Sequence, residues 1–451
     1  RKLVEQQASQ SPALREWLRS GRGGDRETSA GIELLQAASA YLGNEIVIAA
    51  SADAGGRLTG PVLLAETKKP GLAEFLNARA RQAGAQRDLP LLVRNGVAAL
   101  APDGAPLGPR LAGGFAGTPL FARLSETYRD GAGLLVAADL ERMPKQAGAA
   151  ASSIRQAILE QKEIGGRTDT QATLYFRDGS TCPAAWLAPP APIGALDFVS
   201  PEATMAAGFV LKNPVLALEE LAAMNSRIPP EIRELAPSLG GEFALAFDGA
   251  GFPPMTWKIA AEVNDPLRLQ AAIERLLAEK KQAVRMRQES FGGRTYYLLS
   301  LAEASQFGEA AYTFADGYLI AAASRGLVER ALQQRASGFT LTRSTDFIQL
   351  APRGGNANFS GMLYQNMGPT LGPLAEIFAA GAQIKPEQKN AIRQFASHLK
   401  PALVTFSGGA ESIAIASSSD LLGLNPAKLA GLSGPMALLE LFTQKKGTSG
   451  K

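Results

Sequence analysis

Five short blocks of sequence recur in the same order, and this recurrence constrains the fold more than any other feature of the chain. The first block, Leu42 to Glu45 before an apolar run, returns as Leu239 to Glu242 before Phe243. Ordered recurrence indicates an internal duplication, with one supersecondary unit built twice. The other four pairs are Ala65-Glu66-Thr67 with Ala261-Glu262-Val263, Asn95-Gly96 with Asp316-Gly317, Pro119-Leu120-Phe121 and Gly133-Leu134-Leu135 with Asp346-Phe347 and Gly361-Met362-Leu363, and Ile154-Arg155-Gln156 with Ile392-Arg393-Gln394.

The duplication predicts a domain map. A first repeat occupies residues 1–187, a Pro-rich linker 188–205, a second repeat 206–422 and a C-terminal tail 423–451. Proline favours a linker because it lacks the N–H group that helices and sheets require. The first repeat is shorter and starts abruptly, since the apolar run Met205 to Leu211 has no counterpart in it. Either the first repeat lacks this strand or the strand lies upstream of Arg1.

Apolar periodicity within the second repeat predicts strands and a helix. Phe243, Leu245 and Phe247 alternate with alanines, which predicts a strand with its aromatic face buried. A second half-buried strand is predicted by the alternation of Trp257, Ile259, Ala261 and Val263 with Lys258, Ala260 and Glu262.

Turn and cap residues complete the fold prediction. Asp265 and Pro266 suit the start of a helix. Asp316-Gly317 suits a type I′ hairpin, and Gly292-Gly293 marks a further pair of strands in the segment 283–300. Hairpins favour antiparallel sheets. The predicted fold class is therefore α+β, with two tandem repeats, each a mainly antiparallel sheet backed by helices.

Composition excludes several chemistries. The 451 residues contain one His and one Cys, so an intramolecular disulfide, a thiolate zinc site, an iron–sulfur cluster and a His-rich metal site are excluded. The net charge is +4 and charged residues, 20% of the chain, are spread along it, which argues against nucleic acid as a partner. Apolar stretches are far shorter than the roughly 20 residues that span a bilayer. We expect no cofactor, no metal and no transmembrane segment in the chain. Because the chain begins with Arg1, we also expect that a signal peptide or an anchor could precede it.

The motifs Leu239 to Glu242, Glu262 to Pro266, and Tyr312 to Ala323 followed by Gly326 to Gln334 resemble those of uncharacterised bacterial proteins that carry the domain of unknown function 3352. Such proteins are often predicted to be exported or associated with the cell envelope. The resemblance covers most of the second repeat and the first loosely. It implies the fold and a periplasmic or envelope location, and it implies no activity.

Glu66 and Glu262 are the candidate catalytic residues, because they recur at equivalent junctions before a helix. The functional interpretation pairs them as two carboxylates across the repeats, with Glu45 and Glu242 contributing to the same site. The structural interpretation, which we favour, places each near a helix N-terminus, where negative charge is stabilised by about 0.3 to 1 kcal/mol.

Two further nucleophile candidates receive structural interpretations. His398 follows Ser397 in an S-x-x-K spacing, but the other elements of that acyl-transfer constellation are absent. Cys182 has no basic neighbour in sequence to lower the pKa of its thiol.

Two classes of function follow. The first is a non-catalytic extracytoplasmic binding or scaffold protein, which presents its surface to another protein or an apolar ligand, or serves as an accessory subunit of a larger assembly. The second is a carboxylate-dependent enzyme with a site between the two repeats. We favour the first, because the repeated positions are mostly strand cores, turns and helix starts.

Overall fold

The fold is seen in a computed structural model, which forms two compact units. Its described residues are 38, 40–52, 58–82, 88, 90–101, 105–111, 113–141, 153–177, 183–224, 233–248, 256–279, 284–301, 309–352, 358–368 and 401–417. Those up to Gly133, with Glu141, belong to the first unit, and Leu134–Leu140 and those from residue 153 onward belong to the second. The predicted tail 423–451 lies outside the described residues.

The first unit contains a four-stranded antiparallel sheet with strand order β1-β2-β4-β3. Its strands are β1 (Leu42–Ala52), β2 (Leu58–Thr67), β3 (Leu91–Arg94) and β4 (Val97–Leu100), and its helices are α1 (Leu72–Gln82), α2 (Gly108–Leu111) and α3 (Pro119–Arg129). Two small clusters of buried side chains form the core, one around Val62 and Leu107 and the other around Leu72 and Ala98. Helix α3 begins where Thr118 Oγ1 accepts from the backbone N–H of Phe121, because the first turn of a helix has no intrahelical acceptors for its N–H groups.

The second unit is built on a thirteen-stranded antiparallel sheet, in the order β11-β12-β13-β14-β10-β9-β8-β15-β16-β17-β7-β6-β5. The strands are β5 (Leu134–Asp139), β6 (Ile154–Ile164), β7 (Arg167–Phe176), β8 (Ala203–Val210), β9 (Leu239–Asp248), β10 (Trp257–Val263), β11 (Val284–Phe291), β12 (Arg294–Leu301), β13 (Ala310–Ala315), β14 (Tyr318–Ala322), β15 (Gly361–Gln365), β16 (Ala402–Gly408) and β17 (Ser412–Ser417). The helices are α4 (Pro183–Trp186), α5 (Pro214–Met224), α6 (Pro266–Glu279), α7 (Arg325–Ser337) and α8 (Thr345–Leu350). Helix α7 packs on β13 and β14 and buries Leu327, Val328, Ala331 and Leu332.

The α+β class and the antiparallel sheets are confirmed, but the sheets do not follow the predicted repeat boundaries. Strands β5, β6 and β7 lie within residues 1–187, yet they extend the sheet of the second unit. The junction is an antiparallel pairing of β7 with β17 that runs from Thr170 opposite Ser417 to Tyr175 opposite Ser412. This pairing satisfies backbone groups that an open sheet edge would leave to water. Tandem duplication of the whole chain stays a prediction.

The segment 188–205, predicted to be a linker, is packed into the second unit. A 3-10 helix at Gly194–Phe198 buries Ala195, Leu196 and Phe198 completely or nearly so. Isolated bridges pair Leu187 with Leu211 and Ala191 with Phe359, so the backbone on both sides of the prolines is tied to neighbouring segments. The prolines are tolerated because their own positions require no N–H donor.

On β9 the buried face is opposite to the predicted one, and on β10 both faces contribute buried residues, since Ala261 and Val263 are buried too. Ala244 and Ala246 are buried on β9, whereas Phe243 is only half-buried, and on β10 Lys258 is buried with Ala260. The 3-10 helix at Gly194–Phe198 packs in the same core cluster, which is rich in alanine. The alanines of β9 let this helix pack closely on the strand, so side-chain size as well as hydrophobicity decides which face is buried.

The locally encoded turns and caps are confirmed. Asp316 and Gly317 have φ angles of 51° and 82°, which a type I′ turn requires. Asp265 Oδ1 accepts from the backbone N–H of Arg268 at 3.0 Å and caps α6. Strands β11 and β12 form the hairpin predicted around Gly292-Gly293.

Candidate functional site

Glu262 lies opposite a bulge in β9. Between the pairs Leu239–Val263 and Phe243–Ala261, β9 has two more residues than β10, so some of its backbone N–H groups have no strand partner. Glu262 Oε2 accepts from the N–H groups of Gly241 and Glu242 at 2.8 and 3.1 Å. The carboxylate therefore replaces the missing strand partner.

Gly240 makes this contact possible. A Cβ atom at position 240 would lie 2.4 Å from Cγ of Glu262, well inside van der Waals contact. The Leu239-Gly240-Gly241-Glu242 motif is thus a bulge that is shaped to receive a carboxylate from the neighbouring strand.

The second carboxylate, Glu242, holds the 3-10 helix at Gly194–Phe198 against the sheet. Its Oε2 accepts from the backbone N–H of Ala195 at 2.9 Å and from the hydroxyl of Tyr318 at 2.7 Å. Burial, followed by the hydrogen bond to Glu242, raises the pKa of the Tyr318 phenol, so the phenol stays protonated and donates. Gly194 is required here as well, because a Cβ atom would lie 2.6 Å from the Tyr318 hydroxyl oxygen.

Arg335 of α7 covers this corner of the sheet. Its guanidinium carbon lies 4.7 Å from the ring centre of Phe198 and 5.0 Å from that of Tyr318. Its Nε is 3.5 Å from a carboxylate oxygen of Asp316. The cluster therefore joins α7, the 3-10 helix, the Asp316-Gly317 turn and the β9 bulge.

The first unit contains a related but more exposed arrangement. Between Leu42–Thr67 and Ile46–Ala65, β1 has the same two extra residues relative to its partner strand. Glu66 Oε2 accepts from the N–H of Asn44 at 3.2 Å, and Glu45 accepts from the Tyr128 hydroxyl at 2.9 Å. The hydrogen bond and charge of Glu45 raise the pKa of Tyr128.

Backbone hydrogen bonds next to the two glutamates also match. Thr67 donates to Gly96 O at 2.7 Å, as Val263 donates to Gly317 O at 2.8 Å. The predicted equivalences of Glu45 with Glu242, Glu66 with Glu262 and Gly96 with Gly317 therefore agree with the local contacts. The tyrosines differ in origin, because Tyr128 lies on α3 and Tyr318 on β14.

Each candidate carboxylate thus lies in a different unit and binds the backbone of its own sheet. The structural interpretation had placed Glu262 near a helix N-terminus, but its partners are strand N–H groups, and Asp265 caps the helix instead. Cys182 and His398 lie outside the described residues.

A buried ion pair, Lys258 with Asp248, was missed from the sequence. Lys258 is 1% exposed, and its Nζ lies 2.6 Å from an Asp248 carboxylate oxygen, 3.1 Å from Phe198 O and 3.0 Å from Gln334 Oε1. Burial lowers the pKa of Lys258, and the charge of Asp248 opposes that shift. Phe198 O and Gln334 Oε1 accept hydrogen bonds from the ammonium group and Asp248 supplies the opposite charge, which suits a structural lysine. The sequence signal was a single lysine within an apolar alternating run.

The first unit exposes apolar side chains on β1. Ile46, Val47 and Ile48 are 53, 43 and 40% exposed, although successive residues of a strand point to opposite faces. Both faces of the strand are therefore open to water in this stretch. We call Ile46, Val47 and Ile48 the β1 apolar segment.

Across the described ranges, no three His, Cys, Asp or Glu side chains cluster as metal ligands do. Over the same ranges, none of the helices has the length and apolar character needed to cross a bilayer. No known protein-family model, curated protein or solved structure matches the chain. The resemblance to proteins with the domain of unknown function 3352 accordingly stays an expectation.

Proposed function

We propose that this chain is a non-catalytic, extracytoplasmic binding or scaffold protein whose partner is another protein or an apolar ligand. It acts alone or as an accessory subunit of a larger assembly. The observation that carries the proposal is the β1 apolar segment. Ile46 and Ile48 lie on one face of the strand and Val47 on the other, so a partner that lies along β1 would cover exposed apolar side chains on both faces, which is favourable.

The glutamates support a non-catalytic role. Glu262 and Glu242 accept from three backbone N–H groups and one hydroxyl, and these contacts support a role in holding the fold. The extracytoplasmic location rests on the family resemblance alone.

Partner retention tests the proposal. The purified full chain is immobilised, and an extract of the source organism is passed over wild type, Ile46→Gln and Leu267→Gln. Leu267 is the matched control, because it is 84% exposed on α6, outside the first unit. We expect a partner that wild type and Leu267→Gln retain and that Ile46→Gln loses.

An activity screen provides the opposing outcome. The same proteins, with Glu66→Gln and Glu262→Gln, are assayed against ester, peptide and glycoside substrates. Turnover by the wild type that disappears in either glutamine variant would replace the binding proposal with the carboxylate-dependent enzyme.

A further inference from the structure

Strands β1 and β9 have the same bulge but different neighbours. On its far side from β10, β9 pairs with β8, from Met205 opposite Phe247 to Val210 opposite Glu242. Within the part of the chain that the structure describes, β1 pairs with β2 alone. The second unit therefore shows what kind of strand covers an edge of this shape.

Two other sheet edges carry protective features that β1 lacks, whereas β5, the remaining edge strand, is uncharged from Leu134 to Ala138 but has all its side chains half-buried. Strand β3 has four residues, follows Pro90 and ends in Arg94. Strand β11 presents exposed Arg285 and Arg287. Such short, proline-flanked or charged edges discourage strand pairing, whereas β1 has no charged residue from Ile46 to Ala52.

We propose that β1 accepts an antiparallel strand from another polypeptide, through an extended, uncharged segment that resembles β8. This inference rests on the proposed binding function and gives its partner a chemical class. Main-chain hydrogen bonds supply affinity in such strand addition, and the side chains select the partner. The register follows β8: the partner residue at the position of Val210 lies opposite Glu45, and the residue at the position of Gly208 lies opposite Val47.

Charge favours this occupant over a second copy of β1. Strand β8, Ala203–Val210, contains no charged side chain. A second β1 paired over the same stretch would bring another Glu45 carboxylate into the interface, where its desolvation is unfavourable.

The backbone direction of β8 provides a sharp probe. The N–H of Val210 donates to Ser360 O, on the side of β15. Because N–H groups alternate in direction along a strand, those of Ala206 and Gly208 also point toward β15, and those of Ala207 and Phe209 point toward β9. In a bound peptide of the sequence Ala203–Val210, the N–H groups of Ala207 and Phe209 would point toward β1, and those of Ala206 and Gly208 would point away from it.

The experiment titrates three such peptides, each with a solubilising tail, into the full chain: the unmodified form, one N-methylated at Ala207 and Phe209, and one N-methylated at Ala206 and Gly208. We expect the unmodified peptide to bind and to protect the amides of β1 from hydrogen exchange. N-methylation at Ala207 and Phe209 should weaken binding by roughly tenfold or more, because two backbone hydrogen bonds are lost. N-methylation at Ala206 and Gly208 should leave binding close to that of the unmodified peptide.

Variants of the chain check the edge itself. Ile48→Lys should weaken peptide binding, whereas Val93→Lys, a matched exposed position on β3, should not. Equal binding of both N-methylated peptides, or absence of protection on β1, would overturn strand addition. A dimer in sedimentation that protects the same amides would assign the edge to a second copy and also overturn it. Protection of the β1 amides in the chain without peptide would assign the edge to a segment of the same chain and overturn it as well.

The two proposals can fail separately. Loss of partner retention in Ile46→Gln without any peptide binding would refute strand addition and leave the binding function standing. Peptide binding at β1 without a retained partner would support strand addition at β1 and count against the proposed binding or scaffold function.

Discussion

Glu262→Ala should destabilise the second unit much more than Glu66→Ala destabilises the first. The change leaves the N–H groups of Gly241 and Glu242 without their acceptor at a half-buried bulge. An unsatisfied buried donor costs about 1 to 3 kcal/mol, and partial access of water reduces this, so we expect a total loss of about 2 to 4 kcal/mol. Glu66 accepts one N–H at 3.2 Å in an exposed setting, and its removal should cost less than about 1 kcal/mol.

The measurement is native-state hydrogen exchange in increasing urea, because the two units need not unfold together and exchange reports each locally. Protection of the Gly241 and Glu242 amides should fall in Glu262→Ala, whereas Asn44 should change little in Glu66→Ala. Glu262→Gln is the conservative control, since its amide oxygen still accepts but the hydrogen bonds lose their charge. We expect an intermediate loss. Equal losses in the two alanine variants, or unchanged protection of Gly241, would refute the assignment of this carboxylate to the bulge.

Three further predictions concern the second unit and are measured by urea unfolding. Lys258→Met should cost about 3 to 5 kcal/mol because it leaves Asp248 buried without its cation, and adding Asp248→Leu should recover much of the loss; no recovery would contradict the ion-pair interpretation. Ala246→Leu should lower the free energy of unfolding by about 1 to 3 kcal/mol, because it overpacks a fully buried site. Phe243→Ala should lower it by less than the roughly 3 to 5 kcal/mol lost at a fully buried phenylalanine. A full loss at Phe243 with no loss at Ala246 would restore the original face assignment. Because the pKa of Tyr318 is raised, the folded state binds more protons than the unfolded state above about pH 10, and stability should fall as pH rises through that range. Tyr318→Phe should reduce this fall. An unchanged pH dependence in that variant would contradict the buried phenol.

The sequence by itself determined the features that neighbouring residues control. Asp316-Gly317 forms its turn because both residues accept positive φ, and Asp265 caps α6 because its carboxylate reaches an N–H three residues on. The recurrence of Glu66 and Glu262 also located both carboxylates at strand junctions. Local backbone conformation and short-range hydrogen bonds are properties of a few adjacent residues, so the sequence is sufficient for them.

Tertiary structure alone decided the rest. Lys258 is buried because Asp248, Phe198 O and Gln334 converge on its ammonium group from distant parts of the chain. Glu262 binds a bulge because the pairing of β9 with β10 shifts register there. Strand β7 extends the sheet of the second unit because it pairs with β17. These outcomes depend on which backbone edges meet and how closely they pack, and periodicity along one strand carries no information about the volume or the partners on either of its faces.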